Sequence, residues 1–166
     1  TFVSSHPEYP VLLGVEPRGP EVEYGWIELG RAIGRHRSKE VYQVGCFWEK
    51  PSLAEADVLY LKGCLWNTMV LVAPARVLLG LFDSLTPTLM RCFNRIKRSL
   101  ASPQEADVLR EVYTELPSIN FSRAILAPSS HCLGVVRVRG VYWSDWGDPT
   151  RLQQDRAALI GTNHDA

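Results

Sequence analysis

The chain has 166 residues, enough for one domain with its own apolar core. Its 18 Lys and Arg side chains balance 18 Asp and Glu, which excludes a global field that would draw it to nucleic acid or an anionic membrane. The apolar fraction of 46% is that of a globular protein, and the longest apolar run, residues 69–82, is broken by Pro74 and Arg76 well short of the roughly 20 residues of a membrane-spanning helix.

Residues 9–15 form a short apolar run bounded by Pro and Gly, which predicts a buried strand, and a loop follows at 16–20. Residues 24–29 and 40–49, rich in aromatic and β-branched side chains, predict two more strands. The stretch 30–39 between them reads as a basic connection, and its Arg31, Arg35, His36, Arg37 and Lys39 as a solvated loop rather than an anion or RNA grip, since no stacking aromatics accompany them. A helix is predicted over 52–61, with Ser52 and Glu55 as a capping box and Gly63 as its stop.

Residues 65–72 read as a buried strand. Pro74 opens a helix to about residue 85, and Thr86-Pro87 starts another to about residue 100. Ser102 and Glu105 read as a second capping box before the apolar stripe of Val108, Leu109, Val112 and Leu116, which Pro117 ends. A short helix at 121–126 and strands at 133–138 and 140–143 follow. Asp148-Pro149 caps a last helix that gives way to a polar tail at 162–166. Strands and helices alternate without an internal repeat or linker, which predicts a single α/β domain over residues 1–166.

Cys46, Cys64, Cys92 and Cys132 lack the paired spacing of zinc or redox motifs and read as reduced, mostly buried thiols. His6, His36, His131 and His164 lack metal-ligand spacing. The chain shows no secretory leader, so a cytoplasmic location is expected.

Four short motifs in fixed order carry more information: Tyr24-Gly25-Trp26-Ile27-Glu28, Phe47-Trp48-Glu49-Lys50-Pro51, Gly63-Cys64-Leu65-Trp66-Asn67, and Trp143-Ser144-Asp145-Trp146-Gly147-Asp148. Each alone is weak, but their joint order resembles the C-terminal half of the sugar-1-phosphate nucleotidyltransferases, most closely the mannose-1-phosphate guanylyltransferase branch. The resemblance implies part of a doubly wound, mostly parallel Rossmann-like sheet with helices on both faces, its N-terminal nucleotide-binding units missing. It also implies transfer from GTP to a sugar-1-phosphate, giving a GDP-sugar and pyrophosphate with Mg²⁺ as cofactor. A sheet so interrupted would have an exposed edge, through which the chain could dimerise or associate.

Such a reaction joins two polyanions, so it depends on positioning and on cations at the phosphate oxygens. Lys50, just after a strand, offers a compact positive charge to the sugar phosphate, or is an ordinary surface lysine. The resemblance implies that Glu49 accepts hydrogen bonds from sugar hydroxyls, and its residue type alone equally allows a partner to Lys50 or a plain surface carboxylate. Gly25 either lets the sugar ring approach the backbone or marks a bulge, and Asn67 either serves a sugar diol or forms a turn at a strand edge. Asp145 resembles the family's metal-binding aspartate, with Asp148 as helix cap. Where many relatives read Ser-Phe-Asp, this chain has Asn120-Phe121-Ser122-Arg123, so a carboxylate is replaced and Arg123 either binds phosphate or is simply a surface arginine. The 166 residues contain no Gly-x-Gly-Thr-Arg-Leu loop to hold a triphosphate, which leaves a non-catalytic sugar-phosphate-binding or assembly remnant as the alternative.

Overall fold

The computed structural model describes residues 2–147, 149, 151–153, 155 and 156. Five strands, β1 (Val11–Val15), β2 (Gly25–His36), β3 (Lys39–Glu49), β4 (Leu65–Val72) and β5 (Gly134–Val138), close into a barrel in the order β1-β4-β2-β3-β5. Around them lie α1 (Phe2–Ser5), α2 (Leu53–Leu61), α3 (Ala75–Leu85), α4 (Pro87–Ser99) and α5 (Glu105–Glu115), and a single π-turn at Ser122–Leu126. No helix among the described residues is long and apolar enough to cross a membrane.

The architecture is mixed α/β, but the sheet corrects the expectation of a doubly wound, mostly parallel one. Only β5 with β1 is parallel, and the other four pairings are antiparallel. The reason lies in the connections: β2 and β3 are joined by a two-residue turn, which can only reverse the chain. Closure also removes the sheet edge expected for self-association, because each described strand has a partner on both sides. The stretch 30–39 is strand rather than loop. Its ladder is shifted by bulges between Glu28 and Gly34, and Arg37 at φ 56° makes the turn.

Alternation along the strands sorts the core. One face sends Leu12, Ile27, Phe47, Leu65 and Val135 to a cluster completed by Val44, Leu126 and Leu133. Gly14 lies on that face, where a Cβ would stand 2.8 Å from Leu65 Cδ1 and 3.3 Å from Val135 Cγ2. The other face divides. Val15, Trp26 and Trp66 pack with Tyr24 and with Ala56 and Leu59 of α2, whereas Val11 and Val41 receive Phe2 from α1.

Helix α2 has the expected capping box: Ser52 Oγ accepts from Glu55 N, and Glu55 Oε2 accepts from Ser52 N at 2.8 Å. These bonds hold the Glu55 carboxyl below its ordinary range. The second expected box does not form. Ala101 at φ 59° turns the chain out of α4, so Glu105 Oε2 takes the Ala101 amide and Ser102 Oγ donates to Ser99 O. Thr86 stands between α3 and α4 as predicted, but its hydroxyl donates back to Phe82 O instead of capping the next amides. Arg95 bridges α4 to Glu111 and Glu115 of α5.

Residues 140–143 are not a strand. Gly140 at φ 69° turns the chain away after β5, and Trp143 instead packs on Tyr24 with ring centroids 5.0 Å apart. Of the four free cysteines only Cys64 is buried, which corrects the expectation of mostly buried thiols. Asp148 and the tail at 162–166 lie outside the described residues; residues 149, 151–153, 155 and 156 are helical.

Candidate functional site

A cavity of about 270 Å³ opens where the start of β2, the end of β3, the middle of β4, the π-turn and the loop after β5 meet. Gly25, Glu49, Lys50, Asn67 and Asp145 all line it, so the four sequence motifs converge on one concave surface. Gly25 and Glu49 are direct partners across the β2–β3 ladder.

Lys50 is the first residue after β3. It adopts the left-handed conformation, φ 51°, where a lysine is uncommon, and its amide donates to Tyr24 O at 3.2 Å. That conformation turns its side chain out of the strand's alternation, and Nζ reaches Glu23 Oε2 at 2.7 Å. The hydrogen bond and charge of Glu23, reinforced by the charges of Glu49 and Asp145, raise the Lys50 pKa above its ordinary value.

Tyr24 is the hinge pin of this region. Its ring is buried edge-on against Trp66 and Trp143, and Arg151 lies over it, 4.5 Å from the centroid. While its carbonyl holds Lys50, its hydroxyl accepts from Asp145 N at 3.2 Å. One residue thereby ties the backbone on both sides of the cavity, at Lys50 through its main-chain carbonyl and at Asp145 through its buried side chain. The Asp145 carboxylate folds back over its own loop, with both oxygens 3.7 Å from where a Cβ on Gly147 would stand.

β4 contributes through a bulge. Leu12 pairs with Leu71 but Gly14 with Asn67, so β4 carries extra residues there, and Met69 sits at φ 60°. Asn67 explains the shape: its Oδ1 accepts from Met69 N at 3.2 Å, an Asx-turn, and its Nδ2 donates to Met69 Sδ. Thr68 Oγ1 anchors the opposite side by donating to Leu13 O. Asn67 is buried, so one amide hydrogen and one lone pair are what it can still direct into the cavity.

Gly25 makes room for protein first. A Cβ there would meet Phe47 Cζ at 3.0 Å, Glu49 Oε2 at 3.2 Å and Asn67 Cβ at 3.3 Å. Its bareness lets the Glu49 carboxylate lie against the strand. The other Glu49 oxygen accepts from Asn120 Nδ2 at 3.3 Å. Asn120 Oδ1 in turn accepts from Arg123 N, so the asparagine links the start of the π-turn to the carboxylate. Isolated π-turns occur often at functional sites, and this one puts Phe121 and Ser122 on the cavity wall.

Arg123 is not brought to the cavity lining. Its side chain is exposed on the π-turn, and what it gives the site is its backbone amide. Sequence reasoning missed Glu23 and Asn120 as lining residues. Asn120 stood inside the altered motif, whereas nothing in the sequence near Glu23 marks it. The lining residues include three carboxylates, Glu23, Glu49 and Asp145, against the single ammonium of Lys50. Among the described residues no group of three His, Cys, Asp or Glu side chains could hold a metal ion.

No family model matches the chain. A mannose-1-phosphate guanylyltransferase of Sinorhizobium fredii is 30% identical over 141 residues, 82% of this chain and 26% of that protein. One from Klebsiella pneumoniae is 24% identical over 86% of this chain and 30% of its own length. The chain thus spans less than a third of these curated relatives. Among solved structures, one described as a mannose-1-phosphate geranyltransferase from Thermus thermophilus superposes with TM-score 0.64 at 29% identity, covering 82% of this chain and 37% of that one. One described as a mannose-6-phosphate isomerase from Helicobacter pylori shares the fold, with TM-score 0.65 at 24% identity over 84% of this chain and 53% of its own. Matched along most of its length to a limited part of its relatives, the chain corresponds to one portion of the mannose-1-phosphate guanylyltransferases and is similar to them there.

Proposed function

We propose that the cavity is the sugar-phosphate side of a guanylyltransferase site, in which an oxygen of mannose-1-phosphate attacks the α-phosphorus of GTP and pyrophosphate leaves. The observation that carries this reading is the convergence of Gly25, Glu49, Lys50, Asn67 and Asp145, from four distant motifs, on one cavity. Lys50 exchanges Glu23 for the sugar phosphate, to which it offers a protonated, half-exposed ammonium. Glu49, steadied by Asn120, accepts hydrogen bonds from sugar hydroxyls, and the remaining Asn67 amide hydrogen donates to one.

Charge supports a divalent cation as well. With three carboxylates facing one ammonium, the lining alone is a poor host for a phosphate dianion. Asp145, which lines the cavity, is the residue that would hold Mg²⁺, a hard cation that needs only one or two carboxylates because it keeps several waters. Bound there, the ion would neutralise phosphate oxygens.

A second reading is a site that binds sugar phosphate without itself transferring a nucleotide. Calorimetric titration with mannose-1-phosphate and Mg²⁺ tests both. Saturable binding, lost in Lys50→Ala, is expected, and no binding would overturn both readings. Adding GTP then separates them: GDP-mannose and pyrophosphate support transfer, whereas binding without turnover supports the second.

A further inference from the structure

At the other end of the β2–β3 hairpin lies a second cavity, of about 210 Å³, lined by Arg35, Ser38, Lys39, Glu40, Tyr42, Arg137 and Arg139. Along β2 it is roughly 30 Å from Gly25, at about 3.3 Å per strand residue. Arg35 and Lys39 flank the hairpin turn, in the stretch whose sequence reads as a solvated basic loop. Tertiary structure changes that reading, because the pairing of β3 with β5 brings Arg137 and Arg139 to the same cavity.

The charges do not balance. Four cationic side chains face one lining carboxylate, Glu40, which also accepts the Tyr42 hydroxyl. Glu16, the other nearby acid, is shared between Arg139 at 3.0 Å and Arg137 at 3.6 Å. Among the described residues no carboxylate pairs with Arg35 or Lys39. Arg137 Nε is buried with no hydrogen-bond acceptor, so a donor has been withdrawn from bulk water without a protein partner. Forked guanidiniums beside an ammonium and the hydroxyl of Ser38 form a donor set suited to a tetrahedral oxyanion, the Tyr42 hydroxyl hydrogen being already held by Glu40.

We propose that this cavity is an anion site that takes a phosphate group, separate from the sugar cavity. Its ligand is either a small soluble phosphate or the headgroup of a phosphate-bearing lipid, and the same arginines serve both. The test measures binding of inorganic phosphate by calorimetry at constant ionic strength, and co-sedimentation with phosphatidylcholine vesicles with and without phosphatidic acid. Arg137 and Arg139 both hold Glu16, but Arg137 is the less exposed of the two, so the informative variants are the exposed pair Arg35→Gln with Lys39→Gln, and separately the open Arg139→Gln, each with its fold checked by circular dichroism. Saturable binding weakened about tenfold or more by the paired substitution and unaffected by Lys50→Ala is expected. Binding in the free-phosphate arm identifies a soluble ligand, and binding only to the anionic vesicles identifies a lipid. Absence of saturable binding in both arms, an affinity unchanged by both sets of variants, or a loss caused by Lys50→Ala would overturn the site.

Discussion

The Lys50 ammonium is bonded to the Glu23 carboxylate at 2.7 Å, and both side chains are at least half open to solvent, at 50% and 58% exposure. An incoming phosphate must therefore compete with a tethered carboxylate already on the lysine. Pairs this exposed contribute little to stability, roughly 0 to 1 kcal/mol, so Glu23 moderates the charge of the site more than it holds the fold.

Replacing Glu23 with Gln is expected to tighten mannose-1-phosphate binding by roughly twofold to fivefold, the range that an exposed ion pair allows. The melting temperature should stay nearly constant. Calorimetry on the two proteins at low and moderate salt checks this, and weaker binding in the variant would mean that Glu23 itself contacts the ligand.

Gly25→Ala separates site from fold. The added Cβ crowds the Glu49 carboxylate, which can swing away, and the Phe47 ring edge, which can shift slightly. Sugar-phosphate affinity should fall about tenfold or more while stability falls by no more than about 1 to 3 kcal/mol. Denaturant titration and calorimetry on the same sample give both numbers.

Gly14→Ala should do the reverse. Its Cβ would press on Leu65 and Val135 inside the main core, where no flexible end can give way, so a loss of about 1 to 3 kcal/mol is expected. The midpoint of urea unfolding reads it directly.

Cys64 gives a pH signature. Burial, with the charge of Glu28 second, pushes its thiol up to about 11 from an ordinary 9.0. Between those values an unfolded chain loses the proton that the native chain keeps. This contribution to stability is therefore complete below pH 9 and declines as pH rises toward 11. Cys64→Ala should flatten that decline. Mass spectrometry after iodoacetamide at pH 8 should find Cys64 the slowest of the four to alkylate, because it is both buried and protonated.

Much of the cavity's lining was legible because three of the four motifs keep Gly25, Glu49, Lys50 and Asn67 within a few positions of a strand end, where local pattern and chemistry coincide, whereas Asp145 lies in the loop after β5. Glu23 was not, since its meaning depends on Lys50, brought beside it only when β2 and β3 pair. The glycines at 30 and 34 misled for a related reason. They read as loop, yet a Cβ on Gly30 would stand 2.9 Å from Gln43 O and one on Gly34 would stand 2.5 Å from Phe2 Cε2, so they serve bulged strands under close neighbours. Strand polarity was likewise invisible: alternation marks a strand but does not name its partner, and only the assembled order shows that one pairing of five is parallel.

That parallel pairing also sets an order of events. Val11 aligns with Gly134 and Val15 with Val138, so the barrel cannot close until the last of its strands has left the ribosome. Until then β1 and β3 each lack a neighbour, and the strands already made wait with two unpaired edges. Long-range closure of this kind slows folding and prolongs exposure to wrong partners. A nascent chain halted before Gly134 should accordingly depend on chaperones far more than one extended past Val138.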